Sequence, residues 1–187
     1  MKDLYYNMKV AGLDRALPLC PLNDKLMIGA FVIFGDMELT TACARALVAR
    51  IPEHDVMITA ESKGIPLICE MSRLQNNERY VLARKAPKLY MKNVIKVSVN
   101  SITTDHQQTL CLDGKDAEYM RGKRVVILDD VISTGESLKA LESLVDQVGG
   151  EIVGRMAILA EGEAADRDDL IFLEKLPLFD GEGKPLA

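Results

Sequence analysis

Residues 125–137, which read VVILDDVISTGES, place two acids and several hydroxyls between a strand and a helix. The apolar run 125–128 has no polar alternation, which is typical of a parallel strand covered on both faces. It stops at Asp129, and the apolar spacing after Ser133 predicts a helix that begins within or just after 133–137 and ends at two glycines. The pattern therefore predicts a strand, a ligand-binding turn and a helix in succession.

The two ends of this motif suit two different chemical groups. The first backbone N–H groups of a helix lack partners within the helix, and the helix dipole adds positive charge there, so a phosphate is a suitable ligand. Gly135 lets the backbone approach closely, and Ser133, Thr134 and Ser137 offer hydroxyl donors. The adjacent carboxylates would accept hydrogen bonds from two neighbouring hydroxyls. The motif predicts a sugar-phosphate site.

A purely structural interpretation also exists. Ser133 and Glu136 fit the S-x-x-E pattern of a capping box, which needs no ligand. A capping box leaves unexplained why Asp129 and Asp130 stand side by side at the end of a strand, where their repulsion costs stability unless something binds them. The ligand interpretation accounts for both features.

Composition limits the classes of protein to consider. The 187 residues suit one domain, and 48% hydrophobic with 27% charged residues is ordinary for a globular protein. The net charge of -5 argues against broad nucleic-acid binding. The first ten residues lack the apolar stretch of a signal peptide, and the longest apolar run, near 27–34, is too short to span a bilayer. Scattered cysteines fit reduced thiols. We expect a soluble cytoplasmic protein without a nucleic-acid or membrane partner.

Strands and amphipathic helices alternate along the chain. The predicted strands are 27–34, 55–60, 80–83, 125–128, 151–160 and 169–173, and helices are predicted after 35–36, 64 and 133. This order indicates an α/β fold with a mainly parallel sheet and helices on both faces. Within 84–124, the segments 96–103 and 108–112 predict an inserted hairpin, either a mobile lid or a hairpin packed on the rim.

Charged residues follow three of these strands at their carboxyl ends, where open α/β sheets bind ligands. Lys63 follows the second predicted strand, Arg84 follows the third and the acid pair follows the fourth, while Lys88 lies slightly further along. A ligand matching this set has a phosphate at one end, a diol in the middle and a second, strongly anionic group. Phosphoribosyl pyrophosphate (PRPP) has that shape.

Four segments carry a resemblance to a known family. The segment VVILDDVISTGES resembles the PRPP motif of type I phosphoribosyltransferases, and ESKGIPL at 61–67 resembles their pyrophosphate loop. ARKAPKL at 83–89 is similar to a segment of the adenine and xanthine enzymes, and SITTDHQQT at 101–109 to the mobile loop of the xanthine enzymes. The resemblance implies one domain over 1–187, with a small N-terminal hood of about 1–30, a core of about 31–165 and a mobile loop of about 86–115.

The resemblance also implies a reaction and roles for site residues. The enzyme would transfer the phosphoribosyl group from PRPP to a purine base, with adenine first and xanthine next, in base salvage. Asp129, Asp130 and Lys88 would be the catalytic residues, and Ile132 would lie against the base. The residues implied to bind PRPP are Lys63, Gly64, Arg84, Asp129, Asp130, Ser133, Thr134, Gly135, Glu136 and Ser137.

The family further implies a homodimer and Mg²⁺, held mainly by PRPP oxygens and water rather than by a metal site of the protein. Three residues depart from its patterns. Thr104 stands where adenine enzymes usually have glutamate, Ser133 where hypoxanthine-guanine enzymes have aspartate, and Lys63 where purine enzymes more often have arginine. Nearby, His106 could assist proton transfer, although a lone histidine in a loop is more often incidental.

Two other classes of protein stay open at this point. A PRPP-sensing regulator would keep the binding motif without turnover. An unrelated nucleotide-binding or phospho-acceptor α/β domain would use Asp129 and Asp130 for a metal ion, and it would leave the basic loops unexplained.

Overall fold

The computed structural model describes residues 4–100 and 107–186. Its strands, in chain order, are β1 (Tyr5–Val10), β2 (Leu13–Asn23), β3 (Leu26–Gly29), β4 (Val56–Ala60), β5 (Val81–Ala83), β6 (Ile95–Asn100), β7 (Gln107–Leu112), β8 (Arg124–Ile132), β9 (Glu151–Glu161), β10 (Ile171–Leu176) and β11 (Phe179–Asp180). Its α-helices are α1 (Met37–Val48), α2 (Ile65–Leu74), α3 (Gly114–Met120) and α4 (Glu136–Val148). A 3₁₀ turn at Gly162–Asp166 follows β9.

Five parallel strands form the central sheet in the order β10, β9, β8, β4 and β5. All five residues of β4 are buried, as are six consecutive residues of β8, because helices cover both faces of the sheet. The predicted α/β fold with a mainly parallel sheet is therefore confirmed. The strand predicted at 125–128 is longer than expected: it continues through Asp129 and Asp130 to Ile132, because its ladder with β9 continues to Ala160.

The four helices divide between the two faces of this sheet. Leu39 and Leu47 of α1 and Leu67 of α2 belong to one buried cluster. Met120 of α3 and Leu141 of α4 belong to another, on the opposite side. No described helix has both the length and the apolar character needed to cross a membrane.

A second, antiparallel sheet combines β1, β2 and β3 with β11 from the other end of the described chain. The strand predicted at 27–34 was wrong in extent and in partner. Only Leu26–Gly29 is a strand, and it pairs antiparallel with β2 and β11 rather than joining the parallel sheet. The predicted hood of about 1–30 covers β1–β3 but omits β11, and the division into hood, core and mobile loop stays a prediction.

The inserted hairpin consists of β6 and β7, paired from Ile95 opposite Leu112 to Asn100 opposite Gln107. Leu110 and Leu112 are buried in the α4-side core, and Arg84 exchanges two backbone hydrogen bonds of 2.8 Å with Cys111. The base of the hairpin is thus packed against the domain. Thr104, Asp105 and His106, together with the rest of 101–106, lie outside the described residues.

Candidate active site

Two buried carboxylates lie near the carboxyl end of the central strand β8. Asp129 is 7% exposed and Asp130 4%. Oδ1 of Asp129 accepts hydrogen bonds from the backbone N–H of Asp130 (2.9 Å) and from the Ser62 hydroxyl (3.3 Å). Burial first, and then the negative charge of Asp130, raises the pKa of Asp129 to about 7. Burial and the neighbouring negative charge thus destabilise the ionised form of Asp129.

Lys63 is the cation beside this pair. Its Nζ lies 3.0 Å from Oδ2 of Asp130 and donates a hydrogen bond of 2.6 Å to the carbonyl oxygen of Phe31. Oδ2 of Asp130 is buried, and no described group donates a hydrogen bond to it, because the contact with Lys63 is an ion pair outside hydrogen-bond geometry. The Lys63 ammonium group is therefore the cation that offsets the negative charge of this buried oxygen.

Gly64 lies against the same acids. A Cβ atom at this position would lie 2.6 Å from Oγ1 of Thr59 and 3.4 Å from Cα of Asp129. The Gly64 N–H donates to the Ser62 hydroxyl at 3.3 Å, and α2 begins at the next residue. The close approach of the 61–64 loop to β8 therefore requires glycine.

Arg84 and Lys88 gather around a different acid. Oε1 of Glu61 lies 3.2 Å from a guanidinium nitrogen of Arg84 and 4.0 Å from Nζ of Lys88. The backbone N–H of Lys85 donates to the other oxygen of Glu61, and this bond, followed by the nearby cations, lowers the pKa of Glu61. Nε of Arg84 is buried without a hydrogen-bond acceptor among the described residues. The predicted cations thus form two groups, joined by the 61–64 loop.

The loop 133–137 connects β8 to α4. Gly135 is the N-cap of α4 and has a φ of 75°, a left-handed conformation that glycine adopts without strain. Because the cap is Gly135, Ser133 is not the N-cap, and the capping-box interpretation is wrong. A cavity of about 130 Å³ at this turn is lined by Asp129, Val131, Ile132, Ser133, Thr134, Gly135, Glu136, Ser137 and Leu138.

A larger cavity of about 340 Å³ continues from Ser133 and Thr134 towards the end of β9. Sequence reasoning missed its most buried acid, Glu161, which is 8% exposed and accepts a hydrogen bond from Ser133. Glu161 stands in the short segment 161–163, which reads EGE, and acids in such a segment are usually exposed to solvent. Nothing in the sequence therefore indicated that it is buried at a site. The cavity is lined by Ser133, Thr134, Glu161, Gly162, Glu163, Ala164, Arg167 and Leu178.

Ile132, predicted to lie against the base, is 3% exposed and packs in the α4-side core. Its neighbour Val131 is half-buried and so presents more surface. The base contact of Ile132 stays a prediction. Of the other predicted residues, Lys63 and Gly64 lie with the acid pair, and the 133–137 loop lines both cavities, whereas Arg84 and Lys88 cluster at Glu61.

Comparison with known proteins agrees with this arrangement. A model described as "Phosphoribosyl transferase domain" matches residues 37–177. An adenine phosphoribosyltransferase of Cenarchaeum symbiosum is 34% identical over 156 residues, which are 82% of this chain and 88% of the relative. A xanthine phosphoribosyltransferase of Bacillus licheniformis is 27% identical over 139 residues, 72% of this chain and 70% of the relative.

The crystal structure of adenine phosphoribosyltransferase from Rhodothermus marinus shares the fold, with a TM-score of 0.65 and 20% identity over 92% of this chain and 94% of that one. The predicted family and the predicted class of enzyme are both confirmed. The match to the family model covers most of the chain, including the acid pair and the 133–137 loop. This chain belongs to the phosphoribosyltransferase family.

Proposed function

We propose that the protein transfers the phosphoribosyl group from PRPP to a purine base, with adenine as the leading substrate, and releases pyrophosphate. Relatives named for purine phosphoribosyl transfer support the reaction. The observation that carries the proposal is the continuous path from the buried acids Asp129 and Asp130 to the loop 133–137 at the start of α4. That path matches a ribose joined to a phosphate.

In this proposal the ribose hydroxyls bind at the acid pair and donate hydrogen bonds to its carboxylates. The 5′-phosphate accepts hydrogen bonds from the backbone and hydroxyl groups of 133–137, including Glu136 by its backbone. The pyrophosphate lies near Lys63, Gly64 and Arg84, with Lys88 beside it. Each part of PRPP thus lies beside protein groups that can hydrogen bond to it or that carry the opposite charge.

Bond making and breaking follow from this placement. A ring nitrogen of the base attacks the anomeric carbon, the bond from that carbon to the pyrophosphate oxygen breaks, and its electron pair leaves with the pyrophosphate. The proton on that ring nitrogen of the purine passes to solvent or to a nearby basic group of the protein. Positive charge builds on the ribose, so the carboxylates of Asp129 and Asp130 stabilise the transition state, and the cations stabilise the leaving group. Positioning supplies the remaining rate enhancement.

In this proposal Mg²⁺ binds together with PRPP. Among the described residues no group of three or more His, Cys, Asp or Glu side chains lies close enough to hold a metal ion. Mg²⁺ retains several waters and binds mainly through substrate phosphates, with one or two carboxylates in support, and Asp129 and Asp130 are the acids available. When bound, Mg²⁺ neutralises charge on the pyrophosphate.

We also propose that the enzyme works as a homodimer in the cytoplasm, without nucleic-acid or membrane partners. Leu89 is fully exposed and Tyr90 is 65% exposed, immediately after Lys88. Two apolar side chains at a site of charged groups suit burial against a second subunit. Xanthine transfer is the second candidate function, supported by the relative from Bacillus licheniformis.

Product analysis tests the proposal. The protein is incubated with PRPP, Mg²⁺ and adenine, and the nucleotide product is separated and identified. We expect adenosine monophosphate and pyrophosphate in equal amounts, and little of either from Asp130→Asn. The matched control Asp146→Asn changes an exposed aspartate on α4 and should behave as the wild type. Pyrophosphate without nucleotide would contradict transfer.

A further inference from the structure

Glu161 is the buried acid that the proposed chemistry does not yet use. Ala160 of β9 pairs with Ile132 of β8, so the residues that follow, Glu161 and Ser133, lie side by side at the edge of the sheet. Ser133 hydrogen bonds to the Glu161 carboxyl group. Glu161 therefore faces the larger cavity at the point where that cavity meets the sugar-phosphate loop.

The cations near Glu161 make their direct contacts with other acids, so the Glu161 carboxyl group is available to a ligand. Arg167, on the wall of the same cavity, is held by Asp169 through two hydrogen bonds of 2.9 and 2.8 Å. Lys63 is near enough to lower the pKa of Glu161 by its charge, but it contacts Asp130 directly. Burial outweighs these effects and raises the pKa of Glu161. A buried acid gains most from a ligand that donates a hydrogen bond to it.

The size and position of the larger cavity suit the purine base. Its volume of about 340 Å³ lies within the roughly 300–1,000 Å³ typical of small-molecule sites. Ser133 and Thr134 border both cavities, so a ligand whose phosphate binds at 133–137 can extend into the larger one. Leu178 supplies an apolar wall.

We propose that Glu161 recognises the base by accepting a hydrogen bond from the exocyclic amino group of an aminopurine, and that it selects against xanthine. This inference rests on the proposed phosphoribosyl transfer and narrows the preferred base to an aminopurine. An ionised carboxylate only accepts hydrogen bonds. Adenine and guanine each carry an amino group, whereas xanthine carries carbonyl oxygens at those positions, which the carboxylate would repel.

Equilibrium binding tests this proposal without requiring turnover. Isothermal titration calorimetry measures the dissociation constants of ribose 5-phosphate and of adenosine, guanosine and xanthosine monophosphates. The proteins are the wild type, Glu161→Gln and the matched control Glu151→Gln, which changes an exposed glutamate at the other end of the same strand, away from both cavities. The ratio of the ribose 5-phosphate constant to each nucleotide constant isolates the contribution of the base.

In the wild type we expect an aminopurine nucleotide to bind at least about tenfold more tightly than xanthosine monophosphate, a difference of about 1.4 kcal/mol. The dissociation constants of adenosine and guanosine monophosphates show which of the two aminopurines the site prefers. Glu161→Gln should reduce this preference about tenfold, because the amide can donate to a carbonyl oxygen, and should leave ribose 5-phosphate binding within about twofold. Glu151→Gln should change neither value.

Two results would overturn the role of Glu161 alone: an unchanged preference in Glu161→Gln, or a wild type that prefers xanthosine monophosphate. A wild type that binds neither ribose 5-phosphate nor any of the three nucleotides would instead overturn the proposed function. The two failures are therefore distinguishable. Loss of ribose 5-phosphate binding in Glu161→Gln would also count against base recognition, since it would mark a general structural role.

Discussion

Nζ of Lys63 lies 3.0 Å from Oδ2 of Asp130, so the cation of the 61–64 loop is held by an acid of the central strand. The same ammonium group donates to the carbonyl oxygen of Phe31, in the segment that connects the antiparallel sheet to α1. One side chain thus joins the predicted pyrophosphate loop, the acid pair and the segment that follows β3. The energetic coupling of these parts can be measured.

The Lys63–Asp130 pair should appear as a coupling energy in urea unfolding. Lys63→Met leaves a buried carboxylate without its cation, so we expect the free energy of unfolding to fall, while Asp130→Asn should remove most of that loss. A double-mutant cycle should give a coupling of about 1 kcal/mol or more. Lys139→Met, which changes an exposed lysine of α4, should show none with Asp130→Asn. If the coupling energy of the Lys63–Asp130 cycle is as close to zero as that of the Lys139–Asp130 control, the 3.0 Å contact contributes nothing to the free energy of unfolding.

Asp129 should make the stability of the protein depend on pH. Its folded pKa, about 7, lies above the unfolded value of 3.8, so the unfolded state ionises first as pH rises. Asp129 therefore favours folding most below the unfolded pKa, and this contribution is lost between the two values. Asp129→Asn removes the penalty, so its stability advantage over the wild type should grow with pH by about 1 kcal/mol per unit from pH 5 to 7.

Urea unfolding at several pH values checks this expectation. Asp146→Asn, at an exposed aspartate, is the control and should give a difference from the wild type that does not change with pH. If the stability advantage of Asp129→Asn over the wild type instead shrinks as pH rises, the pKa of Asp129 is not raised in the folded protein.

Gly64→Ala should disturb the 61–64 loop by a clash with one identified atom. The new Cβ would lie 2.6 Å from Oγ1 of Thr59, a buried hydroxyl without a hydrogen-bond partner among the described residues. We expect roughly 1–3 kcal/mol of lost stability and weaker PRPP binding. Adding Thr59→Ala should restore much of both, which thermal unfolding and calorimetry can measure. If Thr59→Ala makes the defect of Gly64→Ala worse, the clash is not its cause.

Asp36 has two roles, as the N-cap of α1 and as the ion-pair partner of Arg15 in the antiparallel sheet. Two variants can separate their contributions to stability. The Asp36 carboxylate accepts from the backbone N–H of Leu39 as the N-cap of α1, and it pairs with Arg15 of β2 at 2.8 Å. Asp36→Asn keeps a good cap and loses the ion pair, so it should cost little. Asp36→Ala loses both and should cost about 1 kcal/mol more. Equal losses in chemical denaturation would mean that the cap makes no contribution.

The sequence predicted the parts of the site whose chemistry is local. The 133–137 turn has a glycine at the left-handed position and helical spacing after it, and α4 runs from Glu136 to Val148 with Gly149 as its C-cap. Such signals depend on neighbours in the chain, so they can be recognised without a fold. The strand of Asp129 and Asp130 was recognised from its apolar run for the same reason.

The antiparallel sheet depended on partners far apart in the chain. Residues of β1 alternate only between exposed and half-buried before Val10, and β2 contains Pro18 and Pro21, which weaken a strand prediction. Phe179 of β11 pairs with Met27 of β3 from the other end of the described chain. An apolar run near residue 27 therefore predicted a strand correctly in part, but could not indicate its partners.

Glu161 shows the same limit at the level of one side chain. No sequence pattern singled out Glu161, and only the register of β8 and β9 places it beside Ser133. Arg84 and Lys88 were expected at the pyrophosphate, and no sequence pattern indicated that Glu61 would gather them. Pairing between loops depends on strand order, which a single sequence leaves open.

Initial rates of pyrophosphate release test the central claim most directly. The protein is assayed with saturating PRPP and Mg²⁺ against adenine, guanine, hypoxanthine, xanthine, uracil and orotate, with Asp130→Asn as the control. We predict turnover of a purine, highest for adenine, no turnover of the pyrimidines, and a loss of at least about 100-fold in kcat/KM for Asp130→Asn, or about 2.7 kcal/mol. Tight PRPP binding with no pyrophosphate release for any base would contradict the account and indicate a PRPP-sensing regulator.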